Sequence, residues 1–196
     1  MYTFKTISSL SQSEFKDRGS RFLGFCIPVN TLDQIKIELK KLKELHPKAV
    51  HHCYAYRLGF DQNLYRANDY GEPSGSAGKP ILGQIDSYGL TNILIVIVRY
   101  FGGSLLGVPG LINAYKTAAQ EAIHSNIIIE KDIEVNITLE FDYTMMNEVM
   151  RILKQFNCTI LQQEMTLFCK LYIGIPLINK DDVIQRLQDL RSIEIN

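Results

Sequence analysis

From Ile93 to Val98 every residue is aliphatic, and Arg99 ends the run. A stretch apolar at both odd and even positions predicts a central strand covered on both faces. Three strand-like segments precede it: Tyr2–Ile7, Ser13–Lys16 and Arg21–Val29, the last two joined by the turn Asp17-Arg18-Gly19-Ser20. Thr31 and Gln34 stand at capping-box spacing, where each side chain satisfies a free backbone N–H at a helix start. Leu32, Ile35, Leu39 and Leu42 then recur at helical spacing until Pro47 stops the helix. Val50–Leu58 and Leu64–Ala67 predict a hairpin about Asp61-Gln62-Asn63. Pro80–Ile85 predicts a short helix, and Gly110–His124 a longer one that buries Leu111, Tyr115, Ala118 and Ala122.

The second half is simpler. Ile133, Val135, Ile137, Leu139 and Phe141 share one face of a half-buried strand. Thr144–Phe156 carries Met146, Val149, Met150 and Leu153 at helical spacing, and Cys158–Gln163 and Leu167–Ile175 read as strands. Asn179 is placed to cap a helix with Val183, Ile184, Leu187 and Leu190 inward, and Ser192–Asn196 begins a last strand. The order βαββαβ is the ferredoxin-like pattern. The fold class is therefore α+β in two domains, 1–129 and 130–196, divided in the polar stretch Glu130-Lys131-Asp132.

Charge and glycine content change at the same place. Residues 1–128 hold 14 Lys and Arg against 10 Asp and Glu, whereas residues 129–196 hold 7 against 11. Nine of the 13 glycines fall between Gly71 and Gly110. Over all 196 residues Lys+Arg and Asp+Glu are both 21, so no global field draws the chain onto nucleic acid or an anionic membrane. Any such contact needs a local patch. Four cysteines without a CxxC pair suit buried thiols in a reducing compartment. The first twenty residues lack the pattern of a secretory leader, and Ile93–Val98 is too short to span a bilayer. A cytoplasmic protein is expected.

Two segments have the residue types of a ligand site. The first is Asp69-Tyr70-Gly71-Glu72-Pro73-Ser74-Gly75-Ser76-Ala77-Gly78-Lys79-Pro80. It departs from a Walker loop at Pro73 and Pro80, yet Ser74 and Ser76 are donors for an anion, and Asp69 and Glu72 suit orienting water or a metal. Its other reading is an ordered loop whose carboxylates cap nearby N–H groups. The second, Arg99-Tyr100-Phe101-Gly102-Gly103-Ser104-Leu105-Leu106-Gly107-Val108-Pro109-Gly110, joins the central strand to a helix. Backbone amides at a helix start, with Arg99 as counter-charge, suit a phosphate or carboxylate. The other reading is a tight connection that needs glycine for its geometry. The spacing is not GxGxxG, so no dinucleotide site is expected. His51-His52-Cys53 lies on a strand, so its two histidines face opposite ways and cannot hold one ion together. A structural histidine and a buried thiol are expected there.

Taken together, HHCYAYRLG, DYGEPSGSAGKPILGQI and VRYFGGSLLGVPGLINAY, in this order from His51 to Tyr115, resemble the YigZ/Impact family. The resemblance implies an N-terminal domain like ribosomal protein S5 domain 2, and a C-terminal domain like a ferredoxin-like domain of elongation factor G. It draws attention to Asp69, Gly71, Glu72, Pro73, Ser74, Gly75, Gly78 and Pro80, and to Arg99, Tyr100, Gly102, Gly103, Gly107 and Gly110. With Ser76 and Lys79 these make the candidate binding cleft. Pro109 stands where relatives usually carry glycine, which removes one N–H from the loop. Eukaryotic relatives regulate translation by protein binding. The resemblance thus implies a translation-associated, non-enzymatic protein whose partner is the ribosome, RNA or a translation-related protein, with no cofactor, metal or membrane. A small-molecule enzyme using the same cleft, kinase-like or a hydrolase built on Asp69, Glu72 and His51, is the alternative.

Overall fold

The computed structural model describes residues 2–61, 63–166, 168–190 and 193–196. Gln62 of the expected hairpin turn, and Leu167 and Ser192 at the expected starts of two strands, lie outside them. The chain divides into two compact units, Phe4–Lys131 and Asp132–Asn196 together with the residues ahead of Phe4.

Through the first unit run β1 (Thr3–Ile7), β2 (Ser11–Asp17), β3 (Ser20–Pro28), α1 (Leu32–Leu45), β4 (His51–Leu58), β5 (Leu64–Asn68), α2 (Gly78–Ser87), β6 (Ile93–Tyr100), α3 (Gly107–His124) and β7 (Ile128–Asp132). Five strands form one antiparallel sheet in the order β2-β3-β6-β4-β5, while β1 pairs with β7. The central strand is β6. Its odd residues Ile93, Ile95 and Ile97 pack with Ile81, Ile85 and Tyr115 of α2 and α3. Its even residues Leu94, Val96 and Val98 pack with Ile35 and Leu42 of α1. Helices on both faces explain why no polar position interrupts the run, although both neighbouring strands are antiparallel.

At the start of α1, Thr31 Oγ1 accepts the Gln34 N–H at 3.2 Å, and Gln34 Oε1 accepts the Asn30 N–H at 2.7 Å. The box closes one residue earlier than the pattern suggests, and Leu32 of the expected stripe stays exposed. The last helix of the unit begins at Gly107, three residues before expectation, because Pro109 fits a first turn, where its missing N–H has no intrahelical partner to lose. Glu130, at the expected boundary, lies within β7.

Strand alternation on β4 sends His51 and His52 to opposite faces. His52 is 4% exposed, lies edge-on to the Tyr70 ring, and has no hydrogen-bond partner at either ring nitrogen. Burial, then the charge of nearby Lys43, hold its pKa below 6.5. A group depressed in this way favours the fold in its neutral form. The stability is complete above pH 6.5 and falls as pH drops below it. Urea midpoints of the first unit are therefore expected to fall from pH 7.5 to pH 5.5, and to fall less in His52→Phe. Equal pH dependence in the two proteins would remove His52 as the cause.

The second unit contains β8 (Glu134–Asp142), α4 (Met146–Gln155), β9 (Thr159–Met165), β10 (Phe168–Pro176), α5 (Lys180–Gln188) and β11 (Ile193–Ile195), with a short 3-10 turn before each helix. Its sheet runs β11-β8-β10-β9, antiparallel throughout. Leu139, Phe141, Leu171 and Ile173 from one sheet face pack with Val149, Leu153, Val183 and Leu187 of the helices. Asp142 caps the turn before α4 by accepting the Thr144 N–H at 2.9 Å. Asn179 does not cap α5; its side-chain amide donates to the Phe156 carbonyl at 3.3 Å, tying the two helices together. Among the described residues no helix is long and apolar enough to cross a membrane.

Candidate functional site

The two glycine-rich segments leave β5 and β6, which flank β4 on either side, and the residues that follow β5 form a loop organised by one carboxylate. Asp69 Oδ2 accepts the Gly75 N–H at 2.9 Å, and Oδ1 accepts those of Ala77 and Gly78 at 3.0 and 2.8 Å. Partial burial works against the charged form of Asp69, but these amides and Lys79 outweigh it and hold its pKa below the usual carboxylate range. The amides of Gly75, Ala77 and Gly78 are thus already satisfied, and Ser76 Oγ donates to the Pro73 carbonyl at 2.7 Å. The capping reading holds for this loop, and the amides of Gly75 and Gly78 do not offer an anion site.

Glu72 and Arg99 are brought together beneath it. Arg99 follows the odd face of β6 toward α3 and is 5% exposed. Its Nη1 donates to Glu72 Oε1 at 2.7 Å and its Nη2 to Ser20 Oγ at 3.3 Å, while Nε has no partner. Its guanidinium lies 5.4 Å from the Phe22 ring centroid and 5.6 Å from that of Phe101. Tyr115 from α3 donates to the same Glu72 oxygen at 2.7 Å. Its phenol is buried, which raises its pKa. Cys53 donates its thiol to the Asp69 carbonyl at 2.9 Å and sits 3.3 Å from the Tyr115 hydroxyl; burial pushes it up to about 12, so it is no nucleophile at neutral pH. His51 Nδ1 is 3.0 Å from the Tyr70 carbonyl and Nε2 is 3.8 Å from Glu72 Oε1. A carbonyl only accepts, so Nδ1 carries the proton in the neutral ring, and Nε2 presents a lone pair.

Above this floor opens a cleft of about 470 Å³. Gly71, Glu72 and Pro73 border it on one side, and Arg99 and residues of the second segment border it on the other. Its walls are largely apolar: Val50, Leu106, Val108 and Leu111, with Leu105 and the half-exposed Phe101 at the lip. Leu105 is 85% exposed. The convergence of the two segments was legible in their composition. Their apolar lining was not, although Leu105-Leu106 inside a glycine-rich loop was the available signal.

Several expected residues lie elsewhere. Tyr100 faces α1, where its hydroxyl is 2.9 Å from His46 Nδ1. Ser74 and Lys79 are exposed and border no part of the cleft. Gly78 packs on β5, where an added Cβ would stand 2.5 Å from the Asn68 nitrogen. Gly102 packs on the β2–β3 turn, its amide donating to Ser20 Oγ at 3.2 Å. Gly103 takes a left-handed φ within the connection, and Gly110 sits inside α3 against Leu106. These glycines serve close packing and chain reversal, whereas Gly71 and Gly107 border the cleft. Tyr115 and His51 complete the floor; one was expected as core, the other as a structural residue.

A family model described as the Impact N-terminal domain matches residues 18–123, which include every residue of the cleft. The IMPACT family member YigZ of Escherichia coli is 30% identical over 174 residues, covering 88% of this chain and 85% of that protein. An IMPACT family member of Haemophilus influenzae is 35% identical over 163 residues, covering 81% of this chain and 78% of that one. A crystal structure described as an hypothetical protein aligns with 100% of this chain and 97% of its own, with a TM-score of 0.77 and 27% identity. A domain match over more than half of the residues, and relatives that align along most of their length, agree on one assignment: the chain belongs to the Impact family.

Proposed function

We propose that this protein is a translation-associated binding protein that holds its partner, a component of the ribosome or another translation-related molecule, in the cleft between the two glycine-rich segments. The observation that carries the reading is the cleft itself: two segments of the family-matched domain converge on an open, apolar-walled groove whose buried charges, Glu72 and Arg99, already neutralise each other. Membership in a family with translation regulators supplies the biological setting by analogy. The strand order β11-β8-β10-β9 supports reading the second unit as ferredoxin-like, and the helix-covered antiparallel sheet of the first unit is compatible with the S5 domain-2-like fold. Four free cysteines suit a cytoplasmic, reducing setting.

The groups that would serve phosphoryl transfer are otherwise engaged. A phosphate loop turns its amides to the nucleotide, whereas Gly75, Ala77 and Gly78 give theirs to Asp69. One observation favours an enzyme: His51 Nε2 and Glu72 share the floor of the cleft. Bound ATP at 100-fold excess over Kd would add about 2.7 kcal/mol to stability, and a thermal shift of that size would favour the kinase-like alternative.

Ribosome co-sedimentation at low salt tests the leading reading. The protein is expected with ribosomal particles, and Leu105→Asp, at an exposed position, is expected to bind roughly tenfold more weakly without loss of stability. Recovery of the unaltered protein only in the free fraction would overturn the proposal.

A further inference from the structure

The floor of the cleft is specific about what it leaves open. Asp69 holds the amides of its own loop, and Glu72 holds the guanidinium, so no net charge faces an incoming group from that pair. Beside the carboxylate of Glu72, two polar groups of the floor can pair with a guest. Arg99 Nε is a buried donor without an acceptor, on a guanidinium 5.6 Å from the ring centroid of half-exposed Phe101. His51 Nε2 is an acceptor in the neutral ring, because Nδ1–H is given to the Tyr70 carbonyl. A buried donor left unpaired favours any guest that brings an oxygen to it.

We propose that the cleft binds an uncharged, extended peptide segment of a partner protein by one apolar side chain and that residue's own main chain. The side chain enters between Leu106, Val108 and Leu111, under Leu105. The peptide carbonyl accepts from Arg99 Nε as Phe101 moves aside, and the peptide N–H donates to His51 Nε2. One residue of extended chain carries this donor, acceptor and side chain together. The complementarity is of a neutral guest to a floor whose opposite charges cancel. A phosphate would gain little from Arg99, whose charge is already matched at 2.7 Å, and would meet the carboxylate of Glu72 as well. The inference rests on the functional reading above, since it names the class of partner that the same cleft would hold.

Amide NMR shifts of the full chain, titrated with blocked tripeptides, test it. The probes are acetyl-Ala-Leu-Ala-amide, acetyl-Ala-Phe-Ala-amide, the N-methyl-Leu analogue, acetyl-Ala-phosphoserine-Ala-amide and an eight-nucleotide oligouridine. The Leu and Phe peptides are expected to shift amides at residues 71–72 and 99–111, saturably. N-methylation, which deletes the N–H, is expected to weaken binding about three- to tenfold. Leu105→Asp is expected to abolish the shifts while leaving the rest of the spectrum in place. Shifts at these residues from the phosphoserine peptide or the oligouridine instead of the apolar peptides would overturn the proposal, and so would apolar binding insensitive to N-methylation. Cleft-dependent ribosome association with no apolar-peptide binding would overturn this inference and spare the functional reading. Peptide binding without ribosome association would do the reverse.

Discussion

Glu72→Ala is expected to destabilise the first unit by about 3–5 kcal/mol, the cost of leaving one member of a buried ion pair without the other. Arg99 is 5% exposed and the Glu72 side chain 3% exposed, so water does little to replace the missing carboxylate. The variant also strips the Tyr115 hydroxyl of its acceptor, adding a second unsatisfied group on α3. The measurement is urea unfolding followed through amide signals of β6, because a probe within one unit avoids assuming that both units unfold together. The double variant Glu72→Leu/Arg99→Met is expected to recover most of the loss, since an apolar pair of similar volume removes both charges at once. A cost below about 1 kcal/mol for Glu72→Ala would mean that the pair behaves as a surface ion pair.

The pair also shows where sequence reading stops. The apolar run identified β6, and strand alternation sends Arg99 toward α3 and Tyr100 toward α1. Nothing in spacing, however, joins a strand residue to a carboxylate 27 positions earlier, so Arg99 read as the counter-charge of a ligand. That the carboxylates of the first segment cap nearby N–H groups was one of its two readings, but which amides Asp69 reaches was not legible. A capping box has a fixed three-residue spacing, whereas Asp69 reaches amides six to nine positions ahead through a loop whose path is tertiary. The strand β7 carries Glu130, Lys131 and Asp132 and pairs with distant β1, so local periodicity showed a polar stretch there and not a strand. The apolar faces of β8, α4 and α5 were legible because each packs one stripe against one sheet face. The closeness of the two glycine-rich segments was legible too, but not which glycines face the cleft and which face another backbone.

Gly102→Ala separates those two roles. A glycine kept for ligand access would tolerate a methyl group at the cost of binding alone, with the unit equally stable. At position 102 the added Cβ would stand 1.9 Å from the Gly19 carbonyl carbon, 2.1 Å from its oxygen and 2.2 Å from the Ser20 nitrogen. All three are backbone atoms of the β2–β3 turn, so no side-chain rotation relieves the contact; the turn and the second segment must move apart. Overpacking of this kind costs about 1–3 kcal/mol and more where the backbone resists, and the upper end is expected here. The movement would also break the Gly102 N–H bond to Ser20 Oγ, the hydroxyl that accepts from Arg99 Nη2. The expected result is therefore a fall of about 3 kcal/mol in unfolding free energy, with altered NMR signals at Gly19, Ser20 and Arg99, and weakened partner binding because the second segment no longer walls the cleft. Gly103→Ala is the control: a Cβ there meets nothing within 4 Å, so its cost is the strain of a φ of +88° alone, about 1–2 kcal/mol. If Gly102→Ala proves no more costly than Gly103→Ala, the contact between the turn and the second segment is too loose to hold the cleft in shape.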